Sequence, residues 1–308
     1  MNKSMKILGL VVVILISSLL IFATKKEGSK SIHKIFEIIK NTSEFYQIKA
    51  LKIPENLEFC GEFVPLEKTD IRERIDKELL VNTYWQSNGL LLLKRAHKYF
   101  PIIEPILEKN GVPNDFKYLA VIESGLQNVS SSAGAKGFWQ LMESTAKENG
   151  LEVNDNVDER YNLEKATKAA CDYLKASKKR FGNWTLAAAA YNAGNTGISN
   201  KINAQKVTNY YDLLLADETE RYIPRIVALK EILTNPEKYG FIFEEEDLYK
   251  LEETRIIEID TTITDIAQLS KDLGINYKIL KLHNPWLRDN KLNNTSKKTY
   301  QLKIPIKI

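Results

Sequence analysis

From about residue 66 to about residue 240 the chain repeats apolar side chains at helical spacing and almost never alternates them. That pattern restricts the fold more than any other feature. Apolar residues recur three and four apart through "GLLLLKRAHKYFPIIEPILEKNG". Gly111 and Pro113 interrupt it before "NDFKYLAVIESGL" starts the next helical segment. Asn114 or Asp115 is placed to cap that segment and Gly125 to close it. Similar patterns follow in "ESTAKENG", "LEKATKAACDYLKASKKRFG", "NWTLAAAAYNAG" and "DETERYIPRIVALKEILTN". A mainly α class is predicted, with an all-α domain over 66–245.

The pattern changes after the acidic stretch "EEEDLYKLEE". "TRIIEI" and "TYQLKIPI" alternate like short strands and flank two helical runs, "TITDIAQLSKDLG" and "NYKILKLHNPWL". A small β-α-α-β module is therefore expected over 254–308. At the other end, "MNKSMK" precedes an uncharged run of about 17 residues, the lower limit for spanning a bilayer. The basic head suits a secretory signal or signal anchor over 1–24, and no convincing cleavage site follows it. Lys25, Lys26, Lys30 and Lys34 lie just after the run, where the positive-inside rule would prefer them in the cytoplasm. Export with the segment retained as a membrane anchor is the expectation, leaving 25–65 as a juxtamembrane linker.

Composition mainly excludes. A net charge of +4, without a basic cluster carrying interleaved aromatics, gives no case for nucleic acid. His33, His97 and His283 are scattered and form no ligand spacing, so no metal is expected. Cys60 and Cys171 are either a pair in an oxidising compartment or, the commoner case, two small buried hydrophobes.

One charge is out of place. On the helix that ends at Gly125, Glu123 shares its face with Phe116, Leu119, Ala120 and Leu126, and no Lys or Arg stands three or four positions away. Burial without a cation raises a glutamate's pKa. A carboxylic acid still protonated near neutrality is what cleavage of a glycosidic bond requires of its proton donor. The bland reading is an ion pair with a distant arginine such as Arg160 or Arg221. The following loop, "SSSAGAKGFWQ", sets Ser131, Trp139 and Gln140 among small residues. Hydroxyl, flat apolar face and amide together suit a sugar.

Glu123-Ser124, then "GAKGFWQLM", "AAAAYNAG" and "ETERYI", stand in this order at spacings that resemble the lysozyme-like lytic transglycosylases. The "GVPNDFKYLAVIESG" lead-in and "VDERYN" are similar as well, so the likeness covers about residues 65–240. It implies a lysozyme-like α-helical catalytic domain acting on the glycan strands of peptidoglycan, with no cofactor. Glu123 falls at the family's sole acid/base, and Ser124 would help orient it. Ser131, Gln140 and Met142 fall along the saccharide groove, and Trp139 beside them is assigned to it too. Tyr191 and Asn192 of the Tyr-Asn-Ala-Gly motif, and Glu218 with Tyr222 spaced as if on one helix face, complete the implied site. Glu143 stands where a proline is usual, which touches a helix start and not the chemistry. Phe138 and Trp139 replace smaller or sulfur-bearing residues and bear on subsite shape. The C-terminal module resembles a degenerate LysM domain, a fold that binds N-acetylglucosamine polymers, with "DTTIT" in place of its Gly-Asp-Thr opening.

The expected reaction is non-hydrolytic cleavage of the MurNAc-β-1,4-GlcNAc bond to a 1,6-anhydro end, by a monomer on the periplasmic side of the inner membrane. Two other outcomes stay open: hydrolysis by water, as in a muramidase, and a non-catalytic wall anchor. Asp158 and Glu159 are the rivals for a second catalytic carboxylate, against a structural Asp-Glu-Arg network.

Overall fold

A computed structural model describes residues 48–306. The expected anchor over 1–24, and the linker as far as residue 47, lie outside the described residues. Among those described, no helix is long and apolar enough to cross a membrane.

The later part of the expected linker is built into the core. Strands β1 (Glu58–Phe59) and β2 (Glu62–Phe63) reverse at Cys60 and Gly61, both at positive φ. The hairpin buries Phe59 edge-on against Phe116, with ring centroids 5.1 Å apart. The helices then follow: α1 (Thr69–Tyr84), α2 (Gln86–Lys109), α3 (Lys117–Ser124), α4 (Glu143–Glu148), α5 (Leu163–Phe181), α6 (Trp184–Ala193), α7 (Asn195–Gln205), α8 (Asp217–Glu220) and α9 (Tyr222–Thr234). Helix α9 is the hub. It packs against α1, α3 and α6 and buries Ile223, Ile226, Val227, Ala228 and Ile232. Each fully buried Ile or Val among them contributes roughly 1.5–3 kcal/mol. Helix α6 buries Ala187 to Ala190, and their small side chains let α5 and α9 approach closely. A partly exposed ion pair fixes α1 to the start of α9, with Arg221 Nε donating to the buried Glu78 at 2.7 Å.

The C-terminal module has the expected order: β3 (Thr254–Ile259), α10 (Ile266–Asp272), α11 (Tyr277–His283) and β4 (Tyr300–Pro305). Strands β3 and β4 are antiparallel, with Ile257 opposite Leu302. Asp265 caps α10 and Asn276 caps α11, so each short helix begins on a satisfied N-terminus. The module core of Ile266, Leu280, Leu287, Leu292, Leu302 and Ile304 also takes in Val157 and Tyr161 from the helical region.

Two local expectations fail for identifiable reasons. Neither Asn114 nor Asp115 caps α3 through its side chain. The Asp115 carboxylate instead accepts from the backbone N–H of Cys60 and from Lys230, each at 2.7 Å. "DETERYIP" is not one helix. The chain breaks at Arg221 because Pro224 has no N–H to continue the ladder, and the carbonyl of Glu220 accepts from the Tyr210 hydroxyl instead, at 2.8 Å. Cys60 and Cys171 are free thiols, the first half-buried and the second fully buried. Burial pushes the Cys171 thiol up to about 12, well away from a reactive thiolate.

Candidate active site

Glu123 sits in the last turn of α3, which Gly125 ends in the left-handed conformation at φ 59°. The residue is half-buried, and its oxygen Oε1 accepts a hydrogen bond from the Tyr222 hydroxyl at the start of α9. Among the described residues no hydrogen bond engages Oε2. Burial pushes the Glu123 carboxyl up to about 7. The Tyr222 hydrogen bond pulls the other way, the Glu218 carboxylate adds to the rise, and Arg225 offsets part of it. Both arginines of the bland reading are engaged elsewhere, Arg221 with Glu78 and Arg160 with Asp158. Burial raises the phenols of Tyr191 and Tyr222 well above their ordinary value, with the nearby Glu123 charge adding to it, so both are neutral donors.

The loop after α3 supplies the rest. Ser124 does not touch the Glu123 carboxyl. Its hydroxyl bridges the carbonyls of Ala120 and Phe138, at 3.2 and 2.8 Å, and so ties the end of α3 to the loop. The Tyr191 hydroxyl donates to the carbonyl of Trp139 at 2.7 Å. Gln140, at φ 46°, donates to the carbonyls of Val129 and Gly137 at 3.1 and 2.7 Å and braces the loop from within. Ser131 is exposed, its hydroxyl accepting from Ala135 N–H at 3.0 Å in a turn. Met142 is exposed at the head of α4, which starts at Glu143 as the missing proline suggested. Asn192 accepts from Thr219 at 2.7 Å, joining α6 to α8.

Two assignments need correction. Trp139 has no exposed face to offer a sugar: it is fully buried, and its indole N–H donates to Thr167 at 2.8 Å. Glu218 and Tyr222 do not share a helix face. Glu218 is exposed on α8, Tyr222 is buried on α9, and Glu218 reaches Glu123 only through its field.

The "DERYN" segment is structural. Asp158 makes a paired contact with the Arg160 guanidinium at 2.9 and 2.8 Å, which holds its carboxyl below the ordinary range against the effect of burial. Glu159 accepts from the backbone of Glu152 at 2.8 Å and from Lys165 at 2.5 Å. Neither carboxylate is free for chemistry. Sequence reasoning placed an arginine in this network but missed its hold on the loop: the other Arg160 nitrogen donates to the carbonyls of Gly134 and Leu141 at 3.1 and 3.3 Å and closes the loop ends together. Among the described residues no cluster of His, Cys, Asp and Glu is arranged to hold a metal.

Most of these residues fall within a matched domain, whereas Glu218, Tyr222 and Arg225 lie between the two matched segments. Residues 100–214 match the transglycosylase SLT domain, and residues 255–308 match the soluble lytic transglycosylase C-terminal LysM-like domain. The chain thus carries an SLT transglycosylase domain followed by a LysM-like domain. It is homologous to membrane-bound lytic murein transglycosylase D of Escherichia coli K12, at 33% identity over 180 residues, which is 56% of this chain and 39% of that protein. The protein of the same name from Escherichia coli O6:H1 matches equally. The chain therefore aligns with well under half the length of these two relatives. The crystal structure of the 70 kDa soluble lytic transglycosylase from Escherichia coli aligns with 70% of this chain and 44% of its own, at 15% identity and a TM-score of 0.41.

Proposed function

We propose that this chain cleaves peptidoglycan glycan strands as a lytic transglycosylase, with Glu123 as sole acid and base. The observation that carries the reading is the Glu123 carboxyl. It is half-buried, lifted to about 7 and, among the described residues, hydrogen-bonded at Oε1 alone. Near neutrality such a group is populated in both protonation states, as one residue acting first as acid and then as base requires.

In the first step the Glu123 proton passes to the glycosidic oxygen, and the bond from that oxygen to C1 of the muramic sugar breaks. The sugar's own N-acetyl group stabilises the cationic C1, which replaces the second carboxylate that most glycosidases need. Glu123, now ionised, takes the proton from the C6 hydroxyl of the same sugar, and O6 bonds to C1. Intramolecular attack carries a proximity advantage over recruiting water. The neutral hydroxyl of Tyr222 steadies the carboxylate through this cycle. Tyr191 and the loop residues Ser131, Gln140 and Met142 line or brace the groove, and Asn192 holds α6 beside it. Residues 66–245 act as the catalytic domain and 254–308 as a LysM-like module with affinity for glycan. The chain acts as a monomer at the cell envelope, anchored by residues 1–24, in keeping with a relative named as membrane-bound.

Glu123→Gln tests the reading. The amide keeps an oxygen for the Tyr222 hydroxyl but has no proton to give. Release of muropeptides from purified sacculi should fall by about 10²–10⁴-fold or more. The wild-type product should weigh one water less than the hydrolysis product. A product that includes that water makes the protein a muramidase, and wild-type chain that binds sacculi without releasing anything makes it a wall anchor.

A further inference from the structure

The helical region and the C-terminal module meet at residues 152–161, and that segment also holds the loop beside Glu123. On one side, Asp158 N–H donates to the carbonyl of Trp286 at 2.9 Å, and Arg288 N–H donates to the carbonyl of Asn156 at 2.8 Å. Asn156 Nδ2 donates to Asp289 at 2.9 Å, and Lys298 bridges Glu152 and Glu159 at 2.7 and 3.2 Å. On the other side, the Tyr161 hydroxyl lies 2.8 Å from Ser130 Oγ, and its carbonyl accepts from Asn128 at 3.3 Å. Arg160 clasps the carbonyls of Gly134 and Leu141, and Gly137 lies so close that a Cβ there would sit 2.0 Å from the Arg160 carbonyl oxygen.

Tyr161 belongs to both sides at once. Its ring is buried in the module core with the Arg288 guanidinium 4.1 Å above it, while its hydroxyl and carbonyl hold the loop. Two bonds then tie the loop to the elements that flank the acid, α3 through Ser124 to the carbonyl of Phe138 and α6 through Tyr191 to the carbonyl of Trp139.

We propose that the C-terminal module is a clamp that positions the loop over Glu123, with Tyr161 as the positioning residue between them. The inference rests on the catalytic reading of Glu123 and assigns the module a task separate from binding glycan. Groups from several elements face Glu123: Tyr222 and Arg225 from α9, Tyr191 from α6, and Glu218 from α8. The loop approaches from the side of Tyr191, whose hydroxyl donates to the carbonyl of Trp139. Loosening it admits water to the carboxyl and lowers its proton affinity toward that of an ordinary glutamate.

In the full chain, Tyr161→Phe keeps the buried ring and deletes the bond to Ser130, Ser130→Ala deletes it from the exposed side, and Asn156→Ala loosens the module's grip. ¹³C NMR titration of the Glu123 carboxyl should place its midpoint lower in each variant, by about half a pH unit. The kcat at pH 7 should fall several-fold with KM little changed, and the Tyr161→Phe/Ser130→Ala double variant should be no worse than either single. Unchanged midpoints and kcat in Tyr161→Phe and Asn156→Ala overturn the clamp, as does a change confined to KM, which would make the module a glycan binder only. If the wild-type chain releases no muropeptides while the NMR midpoints still move, the catalytic reading fails and the clamp stands.

Discussion

Glu123 is held at its unusual proton affinity by neighbours that act in opposite directions, and each can be removed separately. The Tyr222 hydroxyl stabilises the carboxylate, so Tyr222→Phe should raise the Glu123 midpoint above about 7. The Glu218 charge destabilises it, so Glu218→Gln should lower that midpoint, by less, because Glu218 is exposed and screened. The descending limb of the pH–rate profile should move to higher pH in the first variant and to lower pH in the second; movement in the same direction would sink this account. The raised affinity also costs stability. The unfolded glutamate titrates near 4.5 and the folded one near 7, so the folded chain binds the extra proton between those values. Stability contributed by Glu123 is thus full below 4.5 and is lost as pH rises to 7, by on the order of 3 kcal/mol. Glu123→Gln should therefore melt higher than wild type at pH 8 and nearly level with it at pH 4. Of these residues, Glu123 was legible from the sequence, because a charge inside an apolar stripe violates helical periodicity. The burial of Trp139 was not. An indole in a loop of small residues looks like a sugar platform until Thr167, far along the chain, takes its N–H.

Among the elements, the loop between α3 and α4 depends most on backbone geometry. Gly137 adopts φ 80° and faces the Arg160 carbonyl with no room for a side chain. Gly137→Ala strains the backbone and forces a main-chain oxygen to move, a combination that costs about 2–4 kcal/mol. The expected outcome is a melting temperature lowered by several degrees together with a weakened grip of Arg160 on the loop. A melting temperature equal to wild type would mean the loop is held elsewhere. The helices themselves could be read from spacing, and their ends less well. Asp115 looks like a cap for α3 in isolation, but a hairpin 55 residues earlier in sequence claims its carboxylate through Cys60, a contact no local pattern encodes. The same hairpin lay in a segment without any readable motif. Its two-residue strands are too short to alternate, yet Phe59 is fully buried. The split between α8 and α9 was in principle visible, since Pro224 cannot donate to a helix that runs through "ETERYI".

For the whole molecule, the junction between the helical region and the module decides whether they melt apart. A tethered module would share few buried groups with its neighbour, whereas this one completes its core with Val157 and Tyr161. It also recruits Asn156 and Glu152, the latter accepting from Lys298 at 2.7 Å and from the Tyr300 hydroxyl at 3.0 Å. Unfolding the module alone would expose the Tyr161 ring and strand Asp158 and Arg160 next to newly admitted water. The strand–helix–helix–strand order could be read from the sequence, but this sharing could not, because Val157 pairs with Leu287, 130 residues further along. Calorimetry should accordingly record one cooperative transition across residues 51–306, not a small early one for the module. Two further results should accompany it. Lys298→Glu sets like charges against Glu152 and Glu159 and should lower the melting temperature of the entire transition, by less at high salt because Lys298 is partly exposed. If that substitution instead splits the calorimetric trace, with the helical region melting where it did before, the module is a separate domain resting against its neighbour and shares no core with it.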